Sequence, residues 1–463
     1  MALSRSLYIY AAVPLVLTSC PSMPSSKADA SGLGLGIPES YRSGRAAVPE
    51  LVGSLNDVFE DSGLRKQVGL SQKNNPDLEA AAASLEEAGF NTRSAQSGLF
   101  PSLSGSAGGN RSQNNSAGAG FDFGSVITER YNLSLDAQWE VDVWGRIRAG
   151  VLSAEASREV AAAEYAAAKQ SIAAQTAQAW FDLVAATKLM ELTNERLTSF
   201  QSTVDLVNRR FELGTSDLGE LSLAKTDLEN AKSEIEGRKN VRDQAARQLA
   251  FLTGSYPDAS RKAATWPSLN RSVASGIPSS ILELRPDIFA AYMRIVAADA
   301  NVEVAHRDLF PSFVLTSSGG QQSSALRDLA DSNFNVWSIA ANLSGPIVDG
   351  GRRRAELGAA NARAKQALAN YRSTVLNAFR EVENALGSEL YLKKQEQATT
   401  RAVTAAREAE DRSLRNYESG LIDILNVLEA TRRRFAAEET LINLRSLRFQ
   451  NRIALALALG KAY

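Results

Sequence analysis

Val143-Trp144-Gly145-Arg146 and, 206 residues later, Asp349-Gly350-Gly351-Arg352 open two long segments of this 463-residue chain that stay in register with each other. Residues 99–102 and 309–312 repeat the sequence Leu-Phe-Pro-Ser at a spacing of 210 residues. Two spacings this similar indicate that one unit of structure occurs twice along the chain. Length alone would suggest two or three separate domains, whereas the duplication predicts two repeats interwoven in one body.

Two proline-free tracts predict very long helices. No proline occurs between residues 102 and 256 or between residues 347 and 463, and proline is the residue that most strongly breaks helix interiors. From Arg146 to Leu213 apolar or small residues recur at alternating steps of three and four, the heptad spacing of helices that supercoil against partners. The positions of this seam are Ile172, Thr176, Ala179, Leu183, Ala186, Met190, Thr193, Leu197, Phe200, Val204, Val207 and Phe211. Such a helix is roughly 100 Å long, and the pattern resumes after Gly214 as far as about Thr253.

A regular alternation of apolar and polar residues precedes the first long helix. It covers residues 131–143 and has the period of a β-strand, with a length that suits a membrane strand of about 9–11 residues. Because the polar side is too hydrophilic for a protein core, a strand with one face on lipid and one on water fits better. Residues 337–347 repeat the pattern more weakly, and residues 101–110 and 311–320 are the predicted hairpin partners. The sequence therefore predicts four strands per chain.

Four strands are too few to close a barrel. Open strand edges are not tolerated in hydrocarbon, and the smallest membrane barrels have about eight strands. If these strands enter a membrane, the barrel must be shared between chains. Two copies would give eight strands, three would give twelve and four would give sixteen.

The N-terminus has the features of a lipoprotein signal. Arg5 supplies a positive charge, residues 7–17 are apolar, and small residues lead to Cys20. The apolar stretch is too short to span a bilayer as a mature helix. We therefore expect residues 1–19 to be a signal peptide and Cys20 to carry a lipid anchor. The alternative is an ordinary secretory signal followed by an incidental cysteine.

Composition argues against catalysis and against nucleic acid. The 51 basic and 52 acidic residues balance, and no basic stripe is present. Cys20 is the only cysteine and His306 the only histidine, so most nucleophile–base pairs and zinc sites cannot be assembled. No glycine-rich phosphate loop is present either. The sequence predicts a protein that is not an enzyme and that needs no metal or cofactor.

Four motifs give the chain a resemblance to a known family. They are residues 139–146 (Trp-Glu-Val-Asp-Val-Trp-Gly-Arg), 276–288, 309–312 and 345–352 (Gly-Pro-Ile-Val-Asp-Gly-Gly-Arg). With them the chain resembles the outer-membrane factor family of TolC-type and NodT-type efflux lipoproteins along nearly its whole length. The family commonly has Pro-Asp-Tyr after the lipidated cysteine, whereas this chain has Pro21-Ser22-Met23.

The resemblance implies a mostly α-helical protein with a membrane β-barrel. In a homotrimer, twelve strands would form the barrel and twelve helix segments a tunnel across the periplasm. The implied role is a passive exit duct for small molecules, docked to a periplasmic adaptor and an inner-membrane pump, often of the resistance-nodulation-division type. An exit duct for type I protein secretion is the alternative. A second alternative is a coiled-coil spacer without a lumen. That alternative predicts no amphipathic strand, so the pattern at residues 131–143 argues against it.

The same resemblance divides the chain and marks its functional residues. We expect a lipid-anchored tether at residues 20–60, repeats at 61–254 and 279–463, and a linker at 255–278. The hairpin tips expected to dock the adaptor comprise Arg210, Leu213, Gly214, Tyr417, Ser419 and Gly420. Leu425 and Glu429 fall where the family narrows its periplasmic aperture, and Asp423 and Asp217 are nearby acidic alternatives.

Overall fold

The computed structural model describes residues 41–42, 59–115, 125–263, 265–267, 269 and 281–460. Within these ranges the chain is mostly helical and contains a four-stranded antiparallel sheet. The expected signal peptide and Cys20 lie outside the described residues. No helix in the described part is both long enough and apolar enough to cross a membrane.

The two repeats have matching elements. In the described part, the first repeat consists of α1 (Ser62–Asn74), α2 (Pro76–Ser97), β1 (Ser102–Asn115), β2 (Ser125–Glu140), α3 (Arg146–Glu212) and α4 (Leu218–Leu252). The second consists of α5 (Ile281–Leu284), α6 (Pro286–Arg307), β3 (Ser312–Ser323), two short 3-10 turns (Leu326–Ala330 and Ser332–Phe334), β4 (Asn335–Ser344), α7 (Arg352–Glu418) and α8 (Ile424–Ala458). Helices α3 and α7 are each 67 residues long, and α4 and α8 are each 35 residues long. The duplication in the sequence is thus a duplication of structure.

The predicted heptad seam of α3 is confirmed over most of its length. The buried members are Ile172, Thr176, Ala179, Leu183, Ala186, Thr193, Phe200, Val204 and Val207. Burial around residues 172–186 is wider than one seam, because several alanines and Phe181 are buried there as well. Phe211, the last seam position, is 40% exposed because it lies at the free end of the helical hairpin. Close packing on more than one side is what the alanine-rich composition permits.

The sheet runs in the order β1-β2-β3-β4, with every neighbouring pair antiparallel. All four predicted strands are present, but their ends differ from the prediction by one to six residues. β1 and β3 extend past residues 110 and 320, and β2 and β4 begin before residues 131 and 337. β2 stops at Glu140 rather than at residue 143, because the side chain of Asp142 accepts hydrogen bonds from the amides that begin α3. β4 stops at Ser344 rather than at residue 347, since Pro346 has no amide hydrogen to continue the ladder.

The turn from strand to long helix is built in the same way in both repeats. Gly145 precedes α3 with φ of 80°, and Gly351 precedes α7 with φ of 86°, a left-handed conformation that favours glycine. Asp142 and Asp349 occupy corresponding places and accept hydrogen bonds from backbone amides at the helix starts. These two carboxylates act as N-terminal caps, which explains why α3 and α7 begin where the sequence predicts.

Helices near the sheet lie side by side, and the longer hairpins extend beyond them. α2 packs on α3, α3 on α6, and α6 on α7. Farther from the sheet α3 pairs with α4 and α7 with α8, and α3 also packs on α8. Two hydrogen bonds connect the N-terminal ends of the shorter helices to the C-terminal ends of the longer hairpins. Asn75 donates a 3.0 Å hydrogen bond to the carbonyl oxygen of Leu252, and Arg285 donates a 3.0 Å hydrogen bond to the carbonyl oxygen of Ala458.

Three hydrophobic clusters hold the described part together. One surrounds Phe181 and Phe449 at mid-length and includes residues of the linker between the repeats. A second joins α6, α7 and the end of α8, and Tyr41 of the N-terminal segment packs into it with 4% exposure. The third lies at the hairpin ends, around Val207, Leu228 and Leu428. The core is therefore distributed along the helices rather than centred.

Candidate functional site

The sheet has one polar and one apolar face. On the polar face Asp136 of β2 accepts hydrogen bonds from the hydroxyls of Ser318 on β3 (2.6 Å) and Ser134 on its own strand (2.8 Å). The opposite face carries exposed apolar side chains at Leu103, Leu133, Leu135, Trp337, Ile339 and Leu343. So much exposed apolar surface marks an interaction surface, and its regular alternation with polar residues is typical of a strand with one face on lipid.

The junction between the sheet and the helices ties the two repeats together. The indole of Trp144 donates a 2.7 Å hydrogen bond to the carbonyl oxygen of Pro311 and stacks 5.2 Å from the ring of Phe310. From the other repeat, Arg307 donates a 2.6 Å hydrogen bond to the carbonyl oxygen of Gly145. A side chain at position 145 would collide with this guanidinium. The Trp-Gly-Arg motif therefore fixes the angle at which strands pass into helices.

Both hairpin ends are shaped by a glycine. Gly214 has φ of 71° and Gly420 has φ of 75°, and in each case the next amide donates back to the helix, Thr215 to Arg210 and Leu421 to Asn416. This is the Schellman arrangement that ends a helix. The predicted roles of Gly214 and Gly420 as helix ends are thereby confirmed. Leu213 is 78% exposed and Ser419 is exposed, so both present side chains at the tips.

The structure brings the two predicted tips into direct contact. Arg210 donates a 2.7 Å hydrogen bond to the carbonyl oxygen of Tyr417, and its guanidinium lies 4.4 Å from the centre of the Tyr417 ring. Tyr417 is only 2% exposed, so its ring packs between the hairpins instead of on the tip surface. Burial raises the pKa of the Tyr417 phenol, and the nearby Glu220 carboxylate raises it further. The phenol thus stays neutral at physiological pH.

The residues expected at the aperture lie on the open face of α8. Leu425 is 57% exposed, whereas its neighbours Ile424 and Leu428 are buried in the cluster at the hairpin ends. Glu429, one helical turn farther on, is exposed and pairs with Arg433 at 2.6 Å on the same helix. Asp423 is exposed at the N-terminal end of α8 and makes no side-chain cap, whereas Asp217 caps α4.

Comparison with known proteins identifies the family of this fold. Residues 68–255 and 277–461 match the family described as "Outer membrane efflux protein". The chain belongs to the outer membrane efflux protein family. It is 31% identical to outer membrane protein OprJ of Pseudomonas aeruginosa, over 93% of this chain and 90% of OprJ. It is 28% identical to cation efflux system protein CusC of Escherichia coli, over 97% of each chain. A crystal structure of a membrane protein from Pseudomonas aeruginosa superposes with a TM-score of 0.84 and 30% identity, covering 92% of this chain and 98% of that one.

As a member of the outer membrane efflux protein family, the chain is an outer-membrane channel that serves as the exit duct of an efflux system. Its relatives are channels and not enzymes, which confirms the prediction that it is not an enzyme. Among the described residues, no group of His, Asp or Glu side chains is arranged to hold a metal ion. His306 is exposed in the last turn of α6 and packs edge-on against Phe310 at 5.9 Å.

Sequence reasoning missed the ion pairs between the two hairpins of this efflux protein. Asp227 of α4 is 8% exposed and accepts two hydrogen bonds, of 2.9 and 2.7 Å, from Arg432 of α8. Farther along, Arg238 of α4 pairs with Glu439 at 2.6 Å. The partners of these pairs are 205 and 201 residues apart, close to the repeat spacing of 206. Opposite charges at nearly equivalent positions of the two repeats were the signal that could have revealed them.

Proposed function

We propose that three copies of this chain close one transmembrane barrel. The observation that carries the proposal is the four-stranded sheet whose outer strands, β1 and β4, each leave one edge unpaired within the described part, and whose apolar face is exposed. Unpaired strand edges are not viable in hydrocarbon, so β4 of one copy pairs with β1 of the next. Three copies give a barrel of twelve strands. The number three comes from the resemblance to the family.

The helices complete the conduit in the same way. α2 and α7 lie at the two sides of the four-helix layer formed with α3 and α6, and both have exposed flanks. Where α7 of one copy packs against α2 of the next, three layers enclose a tunnel of twelve helix segments. At a rise of about 1.5 Å per residue, the 67 residues of α3 or α7 extend roughly 100 Å from the barrel into the periplasm.

The hairpin tips are the docking end of this conduit. They lie at the ends of α3 and α7 opposite to the sheet, and Leu213 and Ser419 are exposed there. A periplasmic adaptor meets these tips and couples the channel to an inner-membrane pump of the resistance-nodulation-division type. Arg210, Gly214, Tyr417 and Gly420 shape the tips, since Arg210 holds Tyr417 between the hairpins and both glycines end helices.

The channel narrows at α8. Leu425 and Glu429 are one helical turn apart and both are exposed, so they face the same direction away from the packed seam of their own chain. Threefold symmetry places three leucines and three carboxylates around the axis, with Asp423 near the entrance. Such a ring narrows the passage sterically and favours cations over anions.

Two measurements test the proposal. Crosslinking of the detergent-solubilised protein should give a product of three times the mass of one chain, and the same preparation should form discrete channels in planar bilayers. A largest product of two chains, even at saturating crosslinker, or a product of four chains would overturn the proposed stoichiometry.

Docking is tested with single cysteines in a Cys20→Ser background. Leu213→Cys and Ser419→Cys should crosslink to the adaptor, whereas Ser104→Cys on β1 should not. Efficient crosslinking from Ser104→Cys alone would reverse the proposed orientation.

A further inference from the structure

A charged pocket of about 460 Å³ lies on the side of the helical body, between the linker that joins the repeats and helices α7 and α8. Its walls include Trp266 of the linker, Lys393 and Glu396 of α7, and Arg445 and Arg448 of α8. None of these residues belongs to the barrel sheet, the hairpin tips or the aperture. The pocket is therefore separate from every site described so far.

The apolar side of the pocket is rigid. Trp266 stacks on Phe449 at 4.8 Å with an interplanar angle of 14°, and Phe449 stacks on Phe181 at 4.5 Å. The linker is held in place where Arg452 donates a 3.1 Å hydrogen bond to the carbonyl oxygen of Leu269. The indole of Trp266 is thus a preformed platform, and aromatic platforms of this kind pack well against the apolar faces of sugar rings.

The charged side of the pocket has more cations than anions. Glu396 accepts hydrogen bonds from Arg445 (3.0 Å) and Arg448, and Glu389 accepts from Arg448 (3.0 Å) and Arg452 (3.0 Å). Among the described residues that line the pocket, Lys393, Arg445 and Arg448 are cationic and Glu396 is anionic. Lys393 is exposed and has no ion-pair partner among the described residues.

Arg448 at the pocket wall is almost entirely buried. Arg448 is 8% exposed, and its Nε atom is buried without a hydrogen-bond partner within the described part of the chain. A buried donor without a partner costs free energy. The excess of cations at the pocket wall favours a ligand that carries a negative charge, and arginine donors bind carboxylates well.

The position of the pocket excludes lipid headgroups. Lys393 lies 41 residues beyond Arg352, the first residue of α7, which corresponds to about 60 Å of helix from the barrel end. A bilayer with its headgroups is only about 40–45 Å thick. On the proposed orientation of the tunnel, on which this inference rests, the pocket lies in the periplasmic part of the channel, the compartment that contains the cell wall.

We propose that this pocket binds cell-wall peptidoglycan. A carboxylate of the stem peptide pairs with Lys393 and Arg445, and the apolar face of an adjoining sugar packs against Trp266. The contact fixes the trimer at one height in the wall and involves no chemical step. On this proposal the pocket faces outward from the tunnel, so the contact does not interfere with transport through the lumen.

The test is co-sedimentation of the purified full-length protein with isolated cell-wall sacculi. Lys393→Glu should weaken binding by about tenfold or more, and Arg445→Gln should weaken it less. Lys225→Glu, an exposed lysine of α4 outside the pocket, makes the same charge change and should bind like the wild type. Equal losses in Lys393→Glu and Lys225→Glu would show non-specific charge attraction and overturn the proposal.

A second measurement identifies the chemistry that is recognised. A soluble muropeptide with free carboxylates should compete with the sacculi, whereas the same muropeptide with amidated carboxylates should not. Equal competition by both would overturn the role of the carboxylate. If sacculi fail to bind a protein that still forms channels in planar bilayers, the peptidoglycan site is excluded while the channel function stands.

Discussion

Arg210 and Tyr417 join the two hairpin tips of one chain through a 2.7 Å hydrogen bond from the guanidinium to the tyrosine carbonyl oxygen. The guanidinium also lies 4.4 Å from the centre of the tyrosine ring, a distance typical of a cation–π contact. The position that matches Arg210 in the second repeat is Asn416, so the pair occurs in one direction only. Arg210 of the first hairpin therefore binds Tyr417 of the second, whereas Asn416 of the second hairpin cannot make the equivalent contact with the first.

Replacing Arg210 should loosen the tips. We expect Arg210→Ala to cost about 1–2 kcal/mol locally, because a charge-assisted hydrogen bond and a cation–π contact are lost together. Hydrogen exchange at the amides around Gly214 and Gly420 should become faster. The control is Arg209→Ala, which removes an exposed arginine from the preceding position. Similar exchange rates in both variants would mean that the pair does not hold the tips.

Removing the side chains at the proposed aperture should widen it. We expect Leu425→Ala combined with Glu429→Ala to raise single-channel conductance in planar bilayers and to weaken cation selectivity. The loss of selectivity has two causes, since the change removes a carboxylate and also leaves Arg433, its 2.6 Å partner, without that charge. Conductance and ion preference equal to the wild type would exclude these residues from the constriction.

The matched control for the aperture is Glu229→Ala. Glu229 is an exposed acidic residue of α4 that pairs with Lys232 at 2.7 Å on its own helix, much as Glu429 pairs with Arg433. Because it lies outside the proposed aperture, its removal should leave conductance unchanged.

The arginine cluster at mid-length should make stability depend on acid pH. Burial by itself raises the pKa of the Glu396 carboxyl, but hydrogen bonds from Arg448 and Arg445 outweigh it and hold the pKa below its usual range. A carboxylate with a depressed pKa stabilises the fold above its unfolded-state pKa of about 4.3, and this contribution is lost as the pH falls through the folded-state pKa. We therefore expect Glu396→Gln to reduce the free energy of unfolding at pH 7 by about 1–3 kcal/mol. The melting temperature at pH 7 should fall accordingly.

The readout for Glu396→Gln is the helical circular-dichroism signal, melted at a series of pH values. The difference from the wild type should shrink as the pH falls below about 4. Glu408→Gln, an exposed acidic residue on the same helix, should melt like the wild type throughout. A deficit of Glu396→Gln that stayed constant down to pH 3 would contradict the assignment.

Lipidation is predicted at Cys20, the only cysteine. Labelling with a radioactive or clickable fatty acid should mark the wild-type protein and not Cys20→Ser. Transport should fall only modestly in the variant, because a single acyl chain binds membranes weakly and the barrel supplies most of the anchoring. Absence of label on the wild type would refute the prediction.

The sequence by itself determined the elements of this protein. The heptad spacing, the absence of proline and the alternation of residues 131–143 are local patterns, and each acts over a few neighbouring residues. They predicted α3, α4 and four strands with errors of a few residues at the ends. Two of the errors fell where a capping side chain, Asp142, or a missing amide hydrogen, at Pro346, ended a strand early. The other main errors are strand ends that extend beyond the predicted bounds.

Only the tertiary structure decided which elements meet. Arg210 and Tyr417 are 207 residues apart, and Asp227 and Arg432 are 205 apart, so no local spacing brings them together. Tyr417 was expected at the docking tips, yet it is 2% exposed because the first hairpin packs over it. The excess of cations around Glu396 is likewise visible only after α7, α8 and the linker pack together. Burial and charge balance depend on neighbours in space, and the linear pattern specifies these only through the fold.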